Sequence, residues 1–296
     1  MKIISAPFNL IQNTDPLTIT IGNFDGLHLG HQQLIERVLS YQDTKHGVMT
    51  FDPHPSSVLR KQSFRTLTQK EDKISLFSKY PLDYAFLVEF NQAFSELSVE
   101  AFIEFLRGIH VRRIVIGRDA RFAYRGEGTI ADLKRYFFVD VVEDLVYNHT
   151  RVSTTYIKDF LSTGDLGSAR KLLNRHYDVK GVVVHGNKIG HKLGYPTANI
   201  DYGNYFLPKS GVYYVKVSFD GETHHAMANI GNNPTLNYSF EKRLEIYILD
   251  FKQNIYGKTL DITFMHYLRT ELKFRNKKEL IEQLQKDETA VRKLII

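Results

Sequence analysis

Residues 17–39 read Leu17-Thr18-Ile19-Thr20-Ile21-Gly22-Asn23-Phe24-Asp25-Gly26-Leu27-His28-Leu29-Gly30-His31-Gln32-Gln33-Leu34-Ile35-Glu36-Arg37-Val38-Leu39. The first five residues are a β-like apolar run, and residues 32–39 carry a helix-like pattern. The span is therefore a strand, a glycine-rich turn and the start of a helix. That geometry suits an anion: glycines let the backbone approach closely, and the N–H groups of a helix's first turn point outward without intrahelical partners. His28 and His31, three residues apart at the helix entrance, offer ring N–H donors to a phosphate or nitrogen ligands to a metal.

Working outward, the chain up to about residue 161 alternates strand-like and helix-like segments. A strand at 48–51 ends in Asp52-Pro53-His54-Pro55; a helix follows at 69–79, a strand at 84–88, a helix at 99–107 and a strand at 113–116. This rhythm predicts an α/β domain with a doubly wound parallel sheet. Ligands of such sheets collect at the C-terminal strand ends, where the turn at Gly22, the turn at Asp52 and the loop at Gly117 all fall. Two helical pieces follow between 155 and 177, with small turns at Gly164 and Gly167.

From Val179 the pattern becomes strand-rich, at 182–184, 212–217, 225–230, 244–249 and 260–264, with turns at Asp220-Gly221 and Tyr256-Gly257. Short strands at this spacing predict a small antiparallel β-barrel. A helix over 277–294, apolar at Leu280, Ile281, Leu284 and Val291, closes the chain. Two domains are expected, 1–176 and 177–296, with the boundary near 174–178.

Composition narrows the class. The chain has 296 residues, 43% hydrophobic and 24% charged, enough for two cores. It has no cysteine, which excludes disulfides and thiolate metal sites and fits a cytoplasmic protein. No apolar run has the length of a membrane span, so no membrane contact is expected. The apolar part of the first seven residues is too short for a signal peptide. The net charge of +6 fits a polyanionic small ligand as well as it fits nucleic acid. No basic run interleaved with aromatics is present, so nucleic acid is not expected as a partner. The possibility of a homo-oligomer stays open.

The ten residues 22–31, read as Gly-x-Phe-Asp-Gly-x-His-x-Gly-His, resemble the signature of nucleotidyltransferases in the form carried by the FAD-synthetase branch. Further stretches follow in order: Thr50-Phe51-Asp52-Pro53-His54-Pro55, Gly117-Arg118-Asp119-Ala120-Arg121-Phe122 with Gly126, and Arg151-Val152-Ser153-Thr154-Thr155-Tyr156-Ile157-Lys158. In the second half, residues 181–200 end in Tyr195-Pro196-Thr197-Ala198-Asn199-Ile200. This glycine-rich basic loop with its tight Pro-Thr-Ala-Asn turn resembles the riboflavin-kinase motif. Matches continue at 208–213, 229–235, 244–251 and 268–274. The chain is thus similar to the prokaryotic bifunctional FAD synthetases, the riboflavin kinase/FMN adenylyltransferase family, over nearly its whole length.

The resemblance implies two reactions, with riboflavin, FMN and ATP as substrates and Mg²⁺ as the metal. In the first half, Gly22, Phe24, Asp25, Gly26 and Gly30 would form the ATP cradle. His28 and His31 would contact the phosphates during adenylyl transfer to FMN, and Ser153, Thr154 and Lys158 would grip the β- and γ-phosphates. Asp119 would lie on the flavin side. In the second half, Gly186, Lys188 and Gly190 would wrap the ATP phosphates, while Thr197 and Asn199 would organise ATP and Mg²⁺. Glu245 would take the proton of the riboflavin 5′-hydroxyl, and Arg269 would help hold the flavin. Plainer readings exist: Asp52 as a turn residue, His54 as a loop-shaping group, Ser153 and Thr154 as a helix cap, Glu245 as the polar face of a strand, Arg269 as a surface ion pair. The pairs His224-His225 and Tyr213-Tyr214 read as structural, since strand neighbours point opposite ways.

Several positions depart from the family pattern, and Val152-Ser153 retains only part of its serine run. Ala120 replaces an aromatic, Ala123 a glycine, Lys158 an arginine and His191 an arginine. Lysine cannot make arginine's bidentate phosphate contact. Two alternatives therefore stay open beside the bifunctional enzyme: a riboflavin kinase with a degenerate adenylyltransferase domain, and a flavin-sensing regulatory protein.

Overall fold

The computed structural model describes residues 1–59, 64–185, 195–232 and 242–295. They form two compact units, Met1–Thr154 and Thr155–Ile296. The first contains β1 (Lys2–Ala6), β2 (Leu17–Ile21), α1 (Leu29–Leu39), β3 (Lys45–Asp52), α2 (Pro55–Leu59), α3 (Lys70–Phe77), β4 (Tyr84–Glu89), α4 (Gln92–Ser95), α5 (Val99–Gly108), β5 (Val111–Gly117), α6 (Ile130–Lys134) and β6 (Phe138–Val142). The short hairpin of β7 (Val146–Tyr147) and β8 (Thr150–Arg151) completes it.

The sheet is wholly parallel, in the order β1-β4-β3-β2-β5-β6. This is the doubly wound sheet that the alternation of elements predicts. β2 sits inside it, and Leu17, Thr18, Ile19 and Thr20 are all fully buried. Helices cover both faces, so alternate side chains of one strand enter different cores. Met49, Phe86 and Val88 join Phe102 and Leu106 of α5, whereas Val48, Ala85 and Leu87 join Ile35 of α1 and Phe77 of α3. The chain leaves β2 toward β3 and β4 on one side and β5 and β6 on the other. That reversal falls between β2 and β5, and ligands of such sheets collect beyond the C-terminal strand ends at that point.

The sequence reading passes over both edge strands. β1 is mostly exposed and β6 only half-buried, so neither shows the continuous apolar run of an interior strand. α1 starts at Leu29, earlier than its periodicity suggests, because His28 caps it.

In the second unit, α7 (Thr154–Thr163) and α8 (Leu166–Leu173) precede the barrel and pack with it. The Lys209 N–H donates to the Leu161 carbonyl at 2.8 Å. Gly167 lies inside the first turn of α8, not in a separate turn, because Asp165 caps that helix by accepting from the Ser168 N–H at 2.9 Å. Six antiparallel strands follow: β9 (Asp178–Val184), β10 (Ala198–Asp201), β11 (Gly211–Phe219), β12 (Glu222–Asn232), β13 (Lys242–Ile248) and β14 (Thr259–Arg269). They close in the order β10-β13-β12-β11-β14-β9. The residues expected to form a tight turn at Ala198 and Asn199 belong instead to β10, which bridges β9 and β13.

Val179, Val183, Ile200, Tyr213, Val215, Ala228, Leu244, Ile246, Ile262 and Phe264 are buried at alternating positions and fill the barrel. At Gly181 a Cβ would stand 2.2 Å from Ile200 Cγ2, so close strand packing there requires glycine. Helix α9 (Lys277–Ile295) covers the outer face, where Val291 joins Tyr214, Met227 and Leu249. Among the described residues, no helix is long and apolar enough to cross a membrane.

Candidate active sites

In the first unit the turn after β2 takes a backbone that most side chains resist. Phe24 (φ 48°), Gly26 (φ 82°) and Leu27 (φ 40°) all lie at positive φ. The surroundings hold the turn at nearly every residue. Thr50 Oγ1 donates to the Asn23 carbonyl at 3.1 Å, and Thr154 Oγ1 donates to the Asp25 carbonyl at 2.8 Å. The Gly26 N–H donates to Thr68 Oγ1 at 2.9 Å, and Gln32 Nε2 donates to the Leu27 carbonyl at 2.9 Å. Asp25 is buried, and its Oδ1 accepts from the Leu67 and Thr68 N–H groups at 2.7 and 3.0 Å. The Phe24 ring is core, edge-on to Phe77. Phe24 and Asp25 thus direct their side chains under the turn and give the site its backbone shape.

His28 and His31 stack with ring centroids 3.6 Å apart. The His31 N–H donates to His28 Nδ1 at 3.3 Å, which leaves the His28 proton on Nε2 as a donor. Gly30 permits this packing, since a Cβ there would stand 3.3 Å from His28 Nδ1. Burial, then the charge of Arg151, lowers the His28 pKa to about 4. Burial, then His28, Lys73 and Arg151, holds His31 well below its ordinary value. Both imidazoles are neutral at pH 7 and act as hydrogen-bond donors rather than cations.

Two cations near this pair carry no assignment from sequence. Lys73 of α3 is buried and donates to Thr50 Oγ1 at 3.4 Å. Arg151 pairs in bidentate fashion with Asp119, Nη2 to Oδ1 at 2.7 Å, and its Nε lies 3.0 Å from Asp144. Asp119, expected on the flavin side, is held ionised by Arg151 in the loop after β5. Lys73 sits in a Lys-Glu-Asp-Lys run, which by pattern reads as a solvated helix face. Arg151 stands inside a motif whose recognised residues begin two positions later. Thr154 opens α7, directly after Ser153, whereas Lys158 belongs to the second unit with its ammonium 5.6 Å from the Phe206 ring centroid. Asp52 ends β3 and lies 3.2 Å from Lys70 Nζ, while His54 Nδ1 accepts from the Ser56 N–H at 3.1 Å.

In the barrel unit the register aligns three polar residues. Asn199 of β10 and Asn229 of β12 both stand directly opposite Glu245 of β13. Cross-strand partners share a face, so these side chains form one row. Their apolar neighbours Leu244 and Ile246 point into the barrel, which puts the row on its outer surface. Arg243 Nη1 donates to Glu245 Oε1 at 3.2 Å. Asn229 opens the matched stretch 229–235, but only the register reveals it as a neighbour of Glu245.

Thr197 lines a cavity of about 280 Å³ with Pro196, Ala198 and the segment 251–256. Arg269 closes β14, and its guanidinium is engaged with the buried carboxylate of Asp287 on α9. His225 Nδ1 lies 2.8 Å from Tyr214 Oη. The expected phosphate residues Gly186, Lys188 and Gly190, together with His191, lie outside the described residues.

A family model described as FAD synthetase matches residues 10–156, and one described as riboflavin kinase matches residues 173–295. A bifunctional riboflavin kinase/FMN adenylyltransferase from Listeria monocytogenes is 41% identical, over 93% of this chain and 91% of that protein. The protein of the same name from Bacillus subtilis is 36% identical, over 96% and 94%. A solved structure named macrolide-efflux protein from Streptococcus pneumoniae shares 30% identity over 98% of each chain with a TM-score of 0.88, so both units recur there together. The parallel-sheet unit with its stacked histidines and the closed barrel with its polar row define a two-unit nucleotide-dependent transferase. The chain belongs to the bifunctional riboflavin kinase/FMN adenylyltransferase family.

Proposed function

We propose that the chain converts riboflavin to FMN in its barrel unit and FMN to FAD in its parallel-sheet unit, using ATP in both steps. The observation that carries this reading is the alignment of Asn199, Glu245 and Asn229 across three strands. It puts a carboxylate beside two amide side chains on one open face. In the first step the Glu245 carboxylate takes the proton of the riboflavin 5′-hydroxyl as that oxygen bonds to the γ-phosphorus and ADP leaves. Thr197 and Asn199, with hydroxyl and amide oxygens, have the hard donors that suit Mg²⁺. The metal would neutralise phosphate charge there. Arg269, fixed by Asp287, closes the flavin end.

In the second step an FMN phosphate oxygen attacks the α-phosphorus of ATP, and the bond to the departing pyrophosphate breaks. His28 and His31 donate hydrogen bonds to the phosphates from neutral rings. Gly22, Gly26 and Gly30 let the backbone approach them. Ser153 and Thr154 at the α7 entrance hold the β- and γ-phosphates. Asp119 borders the flavin. The cysteine-free composition supports a cytoplasmic setting.

A second reading, a kinase with a silent adenylyltransferase unit, is favoured by one observation. Ala123 occupies φ 64° and ψ −168° where the family pattern has glycine. Incubation of the full chain with riboflavin, ATP and Mg²⁺, with separation of the flavins, decides between them. FMN and FAD together are the expected products. FMN alone supports the silent unit, and flavin binding without either product supports a regulator.

A further inference from the structure

Lys73 is 5% exposed, on a helix that otherwise buries Asp72, Leu76 and Phe77. Lysine is almost never withdrawn from water this far unless its charge has partners and a use. Its ammonium donates to Thr50 Oγ1 at 3.4 Å, and that hydroxyl donates to the Asn23 carbonyl at 3.1 Å. The cation is thereby tied, through β3, to the second residue of the glycine-rich turn. Burial lowers the Lys73 pKa, and the charges of Asp25 and Asp52 act against that loss to keep the ammonium protonated. His31 faces Lys73, His28 and Arg151, and Arg151 is itself paired with Asp119 and Asp144.

We propose that Lys73 is a positioning residue of the adenylyl-transfer site, fixing the Asn23 turn through Thr50 and holding a buried ammonium beside the stacked His28–His31 pair. The inference rests on reading the parallel-sheet unit as an adenylyltransferase. A buried cation near the bound polyphosphate adds attraction in a medium that screens little. The same cation opposes proton uptake by His31, so the pair stays neutral as the solution is acidified. A methionine in this position would fill the volume but provide neither effect.

The test uses the full chain and the variants Lys73→Met, Lys73→Gln and Lys73→Arg. FMN adenylylation and riboflavin phosphorylation are measured on the same samples from roughly pH 5 to pH 9. In Lys73→Met and Lys73→Gln, kcat for adenylylation should fall about 10²-fold, with riboflavin phosphorylation unchanged. The acid limb of the adenylylation profile should move to higher pH, because His31 then faces one cation fewer. Glutamine is polar but uncharged, so it decides if the methionine variant is unfolded. Arginine keeps the charge, and its acid limb should stay at the wild-type position. A wild-type acid limb in a folded Gln or Met variant overturns the proposal, as does an Arg variant whose limb moves. Absence of FAD from the wild-type enzyme would instead overturn the adenylyltransferase reading itself.

Discussion

Asp287 on α9 holds the guanidinium of Arg269 at the end of β14, with Nε to Oδ1 at 2.9 Å and Nη2 to Oδ2 at 2.6 Å. Gln283 Nε2 adds a third donor at 2.8 Å, and Asp287 is only 4% exposed. The contact ties the terminal helix to the strand end that the site reading assigns to the flavin. Breaking a buried pair from one side leaves a charge without compensation, at a cost of about 3–5 kcal/mol. Asp287→Ala should therefore lower urea stability by about that amount and depress riboflavin phosphorylation. The double change Arg269→Met with Asp287→Leu should recover part of the stability, which a double-mutant cycle reads directly.

Glu245 and His31 belong to different units, and their substitutions should separate the two reactions. Glu245→Gln is expected to reduce FMN formation about 10²–10⁴-fold while sparing FAD formation from supplied FMN. His31→Ala should do the reverse. Loss of both activities in either folded variant would contradict two separate sites.

Ala123 has φ 64° and ψ −168°, a region that L side chains enter at a cost of about 1–3 kcal/mol. Glycine adopts it freely. Ala123→Gly should raise the Tm of the protein despite removing a methyl group. If the altered loop limits adenylylation, the same variant should also raise FAD output. A lower Tm would show that the loop gains more from the methyl group's packing than it loses in strain.

Stability should fall on the acid side. The His28 pKa is lowered from 6.5 to about 4 by burial and the Arg151 charge. Below pH 6.5 the unfolded chain binds a proton that the folded chain refuses, so stability is full above that value and declines as the pH approaches 4. The loss from His28 is on the order of 3 kcal/mol across that window, and His31 acts in the same direction. Urea midpoints measured at roughly pH 7 and pH 5 should differ accordingly, and His28→Gln should flatten the difference.

Much of this architecture is legible in residue order. Strong apolar runs at 17–21, 48–51 and 113–116 mark interior parallel strands because such strands are buried on both faces. The strands β1 and β6 escape notice because an edge strand needs no such run. The turn at 22–31 is visible in sequence as a strand-to-helix glycine turn, and the structure adds that Gly30 leaves room for the His28 ring. Phe24 and Asp25 show the limit of a motif reading, since a motif records which residues recur but not where their side chains point. One packs in the core, and the other fastens Leu67 and Thr68.

The sequence by itself determined the order of the interior elements, the two kinds of sheet, the family and the two reactions to be tested. Those properties follow from local periodicity and from motifs whose residues are near one another in the chain. The tertiary structure decided which distant residues meet: Lys73 with Thr50, Arg151 with Asp119, Asn199 and Asn229 with Glu245, and Asp287 with Arg269. These pairings depend on sheet order, barrel register and helix docking. A carboxylate at position 287 or an ammonium at position 73 looks in sequence like any other charge on an amphipathic helix. Only burial makes each charge expensive enough to require a partner.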